Sequence, residues 1–239
     1  MDITAIINLH AEGNLANATI RSAIKAVENA YRNHNLECEI LLILDNPNIA
    51  TIQLMDHFND VDFISYHIVE FKDLGLSRNF GTSKASGQYL TFLDGDDLWG
   101  EDWLWRCFNM SESNKNKNIV WHPETNIVFG KEYHLFHHTD MESKEFQLDY
   151  LRVNNYWTAL SFAPISIYQN TPFNKNEIQN GFGFEDWNWN CKTIAKNVIH
   201  KVAINTCHFI RKKENDSMLF ETNQNKCLVS PHTLFEFKN

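Results

Sequence analysis

The chain begins as an alternation of short apolar runs with longer stretches whose apolar residues recur every three or four positions. Ile3 to Leu9 and Glu39 to Leu44 are dominated by Ile, Leu and β-branched residues and are too short for helices, so they read as buried strands. Between them Leu15, Ala18, Ser22, Ala26 and Ala30 fall at roughly helical spacing, predicting a helix from Leu15 to Arg32. The alternation continues with a helix over Ile49 to Phe58, a strand from Phe63 to Val69, a helix from about Leu76 to Ser86 and a strand from Tyr89 to Leu93. Alternation of this kind builds a mostly parallel, doubly wound α/β sheet with right-handed crossovers.

Past residue 98 the pattern loosens. A helix is predicted from about Glu101 to Met110 and an extended stretch from Ile119 to Phe129, interrupted at His122-Pro123-Glu124. A further helix runs from Glu185 to about Lys196 and a strand from about Val198 to Ile204. The expected organisation is one domain over 1–239, with a ligand-binding half at about 1–98, a second half at about 99–220 and a tail over 221–239. Glu221 to Asn239 carries no interpretable motif and reads as a docking element or the stub of a longer polypeptide.

Chemistry enters at the strand ends. Tyr89 to Leu93 runs directly into Asp94-Gly95-Asp96-Asp97. Alternation along an extended backbone sends Asp94 and Asp96 out on one side, with Gly95 between them allowing close approach of a ligand. Paired hard carboxylates suit Mg2+ or Mn2+, which take one or two protein carboxylates and fill their shell with phosphate oxygens. Open α/β sheets bind ligands at the carboxyl ends of their strands, which favours a site for this pair; Asp97 reads as a helix cap. Asp45 reaches the same rim, or forms an Asx-turn with Asn46 and Pro47. His10 and Glu12 lie in the loop after the first strand. Arg78, at a helix start, either reaches a phosphate or base or is a surface charge.

Two later stretches add to this. Gly181-Phe182-Gly183-Phe184-Glu185-Asp186 brings two adjacent carboxylates to a helix start, where the helix dipole keeps them ionised; the alternative is that they only favour the first turn. Cys207 to Met218 is locally basic, and a flexible segment bearing Arg211 and Lys213 that closes over a diphosphate would neutralise the leaving group. Tyr156, Trp157 and Trp187 are candidates for stacking against sugar rings, whereas Trp103 and Trp105 read as core.

The run Leu76-Ser77-Arg78-Asn79-Phe80-Gly81, followed by Ala85 to Leu90 and Phe92-Leu93-Asp94-Gly95-Asp96-Asp97-Leu98-Trp99, resembles the core of family 2 glycosyltransferases of the GT-A fold. The resemblance spans Ile3 to about Leu219. It implies a Rossmann-like, mostly parallel central sheet with helices on both faces and a smaller acceptor-binding half. It also implies inverting transfer of a sugar from a nucleoside diphosphate sugar to a hydroxyl of a glycan or lipid-linked glycan, in cell-surface polysaccharide synthesis. Carried over residue by residue, Asp186 is the catalytic base and Glu185 orients acceptor or loop. Asp94 and Asp96 hold the divalent cation, and Asp45, Arg78, Asp94, Asp96, Arg211 and Lys213 bind the nucleotide sugar. The chain departs from the pattern at Asn8-Leu9-His10, where many members have Pro-x-Tyr/Phe-Asn, and at Lys213, where many have a His ligand. His208 is either a substitute ligand or an ordinary strand histidine.

Composition narrows the field. With 239 residues, 43% hydrophobic and 21% charged, the chain can bury a sizeable core. A formal charge of -9 and a pI near 5.6 argue against a general nucleic-acid partner. Five scattered cysteines without a zinc-like pair read as reduced, buried thiols, which favours the cytoplasm. No bilayer-spanning run or signal-peptide pattern is visible, so membrane contact is expected to be at most peripheral, at the inner face of the cell membrane. Two other readings compete: a catalytically silent sugar- or nucleotide-binding protein of the same fold, and a haloacid-dehalogenase-type phosphatase using Asp94 and Asp96. The phosphatase motif normally follows the first strand, whereas here at least three precede it, and no later Gly-Asp-x-x-x-Asp motif appears.

Overall fold

The computed structural model describes residues 1–213 and 218–236. Its first half alternates β1 (Ile3–Leu9), α1 (Leu15–His34), β2 (Cys38–Asp45), α2 (Ile49–Leu54), β3 (Ile64–Val69), α3 (Leu74–Lys84) and β4 (Tyr89–Asp94). A 3-10 turn at Met55–Phe58 replaces the end of the helix expected to run to Phe58. The second half comprises β5 (Leu98–Trp99), α4 (Trp103–Glu112), β6 (Ile119–Gly130), β7 (His134–His137), β8 (Phe162–Pro164), α5 (Ile165–Asn170), β9 (Phe182–Gly183), α6 (Glu185–Ala195), β10 (Ile199–Lys212), α7 (Met218–Gln224) and β11 (Leu228–Val229).

Among the described residues one sheet runs in the order β3-β2-β1-β4-β8-β6-β10-β5, with β7 added on β6. The strands of the first half are all parallel, pairing Ile3 with Cys38 and Tyr89 and bringing Asn8 beside Asp94. Parallel pairing places the ends of β1, β2 and β4 on one rim, so Asp45 and Asp94 share that rim as expected. Beyond β4 the sheet becomes mixed: β8 is antiparallel to both β4 and β6, β6 and β10 are parallel, and β5 closes antiparallel to β10.

Helices cover both faces. The layer under α1 and α4 joins Ile3, Ile7, Ile40 and Leu42 to Ile20, Val27, Trp103 and Leu104; the opposite layer joins Ile6, Leu41, Ile43 and Phe92 to Ile167, Tyr168 and Trp189. Each fully buried Ile or Leu contributes roughly 1.5–3 kcal/mol. The face α1 buries includes Ala16, Ile20, Ala23, Ala26, Val27 and Ala30; of the expected stripe Ala26 and Ala30 are buried, Ser22 is half-buried, and Leu15 and Ala18 face solvent. Small side chains there let the helix lie close to the sheet. Asn48 caps α2 through Thr51 N, and Asp73 caps α3 through Leu76 N, each at 2.8 Å.

Two expectations about the second half change. The interruption at His122-Pro123-Glu124 does not break β6; the irregularity falls on its partner, where β10 bulges between Ala203 and Cys207 with Asn205 at φ 58°. The basic segment is not a flexible loop up to Lys212, because β10 continues that far and Arg211 pairs with Phe129. Glu214 to Ser217, the rest of that segment, lie outside the described residues, as do 237–239 of the tail.

Candidate active site

Asp94 and Asp96, at the end of β4, are each matched by a cation that the fold supplies. Arg78, on α3, is fully buried between two carboxylates: its Nη2 donates to Asp94 Oδ1 at 2.9 Å and its Nη1 to Glu185 Oε1 at 2.8 Å. Its guanidinium also lies over the Phe92 and Phe173 rings, 5.9 and 5.4 Å from their centroids. Burial works against the Arg78 charge, but Asp94 and Glu185 outweigh it and hold the pKa above the ordinary value. Arg78 thus ties the end of β4 to the start of α6, joining the two acidic motifs at one point. The sequence left open whether it was a surface charge; it is the most enclosed charge at the site.

Asp96 pairs with Lys213 Nζ at 2.8 Å, and the same ammonium lies 4.0 Å from Glu12 Oε1. Burial, with Asp97 nearby, raises the Asp96 pKa to about 6 against the opposing pull of Lys213. Arg211 serves the same loop differently: its backbone N–H donates to Asp97 Oδ1 at 2.8 Å, its Nε to the Asp96 carbonyl at 3.1 Å, and its guanidinium stacks over Phe129. His208 Nε2 sits 3.1 Å from Asp97 Oδ2, close enough for charge pairing but outside hydrogen-bond geometry. That places His208 beside Asp97 on a buried stretch of β10. Gly95 is explained by its neighbours rather than by a ligand, since a Cβ there would meet Asn8 O at 2.7 Å and Leu9 Cδ2 at 2.7 Å.

Asp45 is buried and accepts from Lys72 N and Asp73 N at 2.9 Å each and from Ser77 Oγ at 2.7 Å. It therefore organises the turn into α3, the helix that carries Arg78. His10 Nδ1 lies 2.6 Å from the Asp45 carbonyl and fastens the loop after β1 to β2.

The second motif is held from several sides. Phe184 adopts a left-handed conformation, φ 59°, immediately before Glu185, a cost of order 1–3 kcal/mol that the surrounding packing sustains. Glu185 is buried and accepts from Asn176 Nδ2 at 2.9 Å as well as from Arg78. Asp186 is only partly buried; burial, then the neighbouring Glu185, raises its pKa to about 7, with Arg78 pulling the other way. Asn155 Nδ2 donates to Asp186 Oδ2 at 3.3 Å. The tail supports the same segment: β11 pairs with β9, Asn188 Nδ2 donates to Ser230 O at 2.7 Å, and a Cβ on Gly183 would meet Thr222 Cγ2 at 2.6 Å. Docking is one of the two readings of this stretch, but its local sequence does not say which segment it meets.

The aromatic candidates separate. Trp157 is buried, stacked on His122 and His200 with centroids 5.2 and 4.6 Å away, and its Nε1 donates to Thr139 O. It is not a platform for a sugar, because its faces are already covered. His122 Nε2 and His200 Nδ1 lie 2.9 Å apart, and burial drives both pKa values down, so this stack is neutral. Trp187 is partly exposed and anchored through Nε1 to Leu151 O, while Tyr156 leans on Phe146 and Tyr150. Trp103 is core as expected, with Nε1 on Thr91 Oγ1; Trp105 is half-buried, stacked on His34. The five cysteines are unpaired, four of them buried.

No group of three or more His, Cys, Asp or Glu able to hold a metal occurs among the described residues. The donor set fits a cation that needs only one or two carboxylates and completes its shell with phosphate and water: Asp94 is 36% exposed at its side chain, and Asp96 is held by an exchangeable ammonium. A cavity of about 320 Å³ bordered by Gln88, Tyr89, Glu112 and Trp121 lies at the amino-terminal ends of β4 and β6, away from these acids.

A parallel sheet with acids on its carboxyl rim, widened by a mixed flank and met by a second acidic motif at the head of α6, defines a GT-A-type α/β fold. The model of glycosyl transferase family 2 matches residues 4–176. The chain belongs to that family. Its fold is similar to S. aureus TarS 1-349 in complex with UDP-GlcNAc, at 14% identity and a TM-score of 0.72 over 92% of this chain and 61% of that one. TarS 1-349 in complex with UDP gives 12% and 0.68 over 95% and 70%, and S. aureus TarS 13% and 0.64 over 89% and 37%. The chain therefore spans about three fifths of the first of these, and at such identity the likeness is one of fold. No curated protein sequence matches the chain. Among the described residues no helix is long and apolar enough to cross a membrane.

Proposed function

We propose that the chain is an inverting, metal-dependent glycosyltransferase that moves a sugar from a nucleoside diphosphate donor to a hydroxyl of a glycan or lipid-linked glycan, in cell-surface polysaccharide synthesis at the cytoplasmic face. The observation that carries this reading is the Arg78 bridge, which brings Asp94 and Glu185 to opposite ends of one guanidinium and so sets the two acidic motifs at a single crevice. Residues 1–98 bind the donor and 99–220 supply the acceptor side, with the tail backing the second motif.

In this reading Asp96 and Asp94 hold Mg2+ or Mn2+, which when bound neutralises the departing diphosphate. Lys213 lies at the Asp96 carboxylate and Arg211 at the Asp96 backbone carbonyl, and both contribute further positive charge to the diphosphate. Asp186, with a pKa near the operating range, accepts the proton of the acceptor hydroxyl, the tuning a general base requires. Glu185, fixed by Arg78 and Asn176, keeps the helix start in place. Attack on the face opposite the leaving group inverts the anomeric centre, through a transition state with oxocarbenium character.

The test is a panel of nucleotide sugars with Mn2+, beginning with UDP-GlcNAc, the ligand in a TarS structure of similar fold. Thermal stabilisation that depends on metal, together with product on a glycan acceptor, is the expected outcome. Tight donor binding without transfer to any acceptor in a broad panel would instead favour a silent sugar-binding protein.

A further inference from the structure

Asp186 is met by a side chain in neither acidic motif, from the loop before Trp157. Asn155 Nδ2 lies 3.3 Å from Asp186 Oδ2, while Asn190 Nδ2 donates to Asn155 Oδ1 at 3.0 Å and the Trp157 N–H points at that oxygen from 3.5 Å. An amide oxygen that receives two donors cannot also be the end that faces a carboxylate, so the amide is locked with its NH2 toward Asp186. Asn190 is buried and sits four residues after Asp186 on α6, hence on the same helical face. Asn155 itself is placed by Trp157, two residues on, whose ring is held by His122, His200 and the Thr139 carbonyl.

We propose that Asn155, locked by Asn190, is a positioning residue for the Asp186 carboxylate: it fixes the rotamer of the base and stabilises its ionised form by a hydrogen bond without adding charge. This rests on the assignment of Asp186 as base. Its need is clear from what else faces Asp186. Glu185 on the same helix and Asp94 on β4 disfavour ionisation, opposed by Arg78, already divided between those two acids, and by the Trp187 backbone N–H. A neutral donor relieves the crowding of negative charge without competing for the Arg78 guanidinium. The bond also joins the loop before Trp157 to the first turn of α6, so the carboxylate keeps one orientation toward an incoming hydroxyl.

The experiment follows the Asp186 side-chain carboxyl by NMR in the full chain labelled with 13C-aspartate, its resonance assigned with Asp186→Asn, in parallel with the pH profile of sugar transfer. Asn155→Ala is expected to raise the titration midpoint by about half a unit to one unit, a roughly 3- to 10-fold gain in proton affinity. The acid limb of the pH profile should move with it, and turnover on the alkaline plateau should fall while KM for the donor stays put. Asn190→Ala, which leaves the loop contacts of Asn155 in place, should move the midpoint the same way by less, and the double variant should match Asn155→Ala alone. If Asn155→Ala does not fold, Asn190→Ala decides on the same sign. An unmoved midpoint in a folded variant overturns the proposal. Transfer at the parent rate by Asp186→Asn overturns the base assignment instead, whatever the midpoints do.

Discussion

The two halves of this molecule place their acids by different means. In the first half, secondary structure alone does it: parallel pairing of β1, β2 and β4 fixes a common rim, and Asp45 and Asp94 arrive there because they end their strands. In the second half the approach to Glu185 and Asp186 is the two-residue strand β9, too short to fix them by itself. They stand at the head of α6 because a left-handed Phe184, the Asn176 and Asn155 side chains, and a docked tail hold that turn in place. A rim built from periodicity tolerates changes between its strands, whereas a turn built from individual side chains is expected to fail one contact at a time. Arg78 is the joint between the two arrangements.

The strongest test of the second half is Asp186→Asn. The change keeps size and hydrogen bonding but removes basicity, so transfer should fall by about 10² to 10⁴ with donor affinity nearly unchanged. Product formation measured alongside donor calorimetry separates these. Glu185→Gln should affect acceptor affinity more than the chemical step, since Glu185 is buried and held by Arg78 and Asn176. Parent-rate transfer by Asp186→Asn would move the base elsewhere.

Breaking the joint should cost the whole fold. Arg78→Met leaves Glu185 buried and Asp94 half-buried with no counter-charge, and losing one partner of such a pair costs roughly 3–5 kcal/mol. Denaturant unfolding should show the loss with little change in the slope of the transition. A variant as stable as the parent would mean that Asp94 and Glu185 are held by their own halves, and the joint would be no joint.

The same contrast explains what the sequence disclosed. The alternation of runs and periodic stretches gave every element of the first half to within a few residues, because buried parallel strands and amphipathic helices impose a period. The rim followed from the strand ends. Arg78 was singled out but not its pairing with Glu185, which lies 107 positions away and which no local pattern encodes. Asn155 and Asn190 were missed; the only signal was the four-residue spacing of Asn190 from Asp186 on one helix. Trp157 was misread because an aromatic residue beside Asn and Tyr looks like a binding platform until His122 and His200 are seen to cover it. The bulge in β10 was hidden because Pro123 marks an irregularity without saying which of two paired strands absorbs it.

Asp186, by its burial beside Glu185, also gives a stability signature. Its folded pKa, about 7, lies above the value of about 4 for an unfolded aspartate. The folded chain therefore keeps a proton between roughly pH 4 and pH 7 that the unfolded chain has released, so stability falls as pH rises through that window. Asn cannot titrate. Asp186→Asn should match the parent near pH 4 and exceed it by about 1–2 kcal/mol at pH 8, a figure discounted because Asp186 is only partly buried. Equal stability at both pH values would show that the turn carries no electrostatic strain.

The smallest effect concerns the first half, where Lys213, just past the end of β10, reaches across to Asp96. The ammonium and carboxylate are 2.8 Å apart, and their side chains are 24% and 18% exposed, so the pair is partly screened and of modest strength. If Asp96 is the principal cation ligand, Lys213 must let go of it before Mn2+ can bind, and whatever the pair contributes is subtracted from the metal affinity. Lys213→Met keeps the apolar stem and removes the charge. Mn2+ alone, titrated calorimetrically, should then bind about 3- to 10-fold more tightly, while UDP added afterwards should bind less tightly because one diphosphate cation is gone. Asp96→Asn should abolish the metal heat in either background. Parental Mn2+ affinity in Lys213→Met, with the heat still lost in Asp96→Asn, would mean that the ammonium leaves the carboxylate at no cost and that the rim is as permissive as its regular strands suggest.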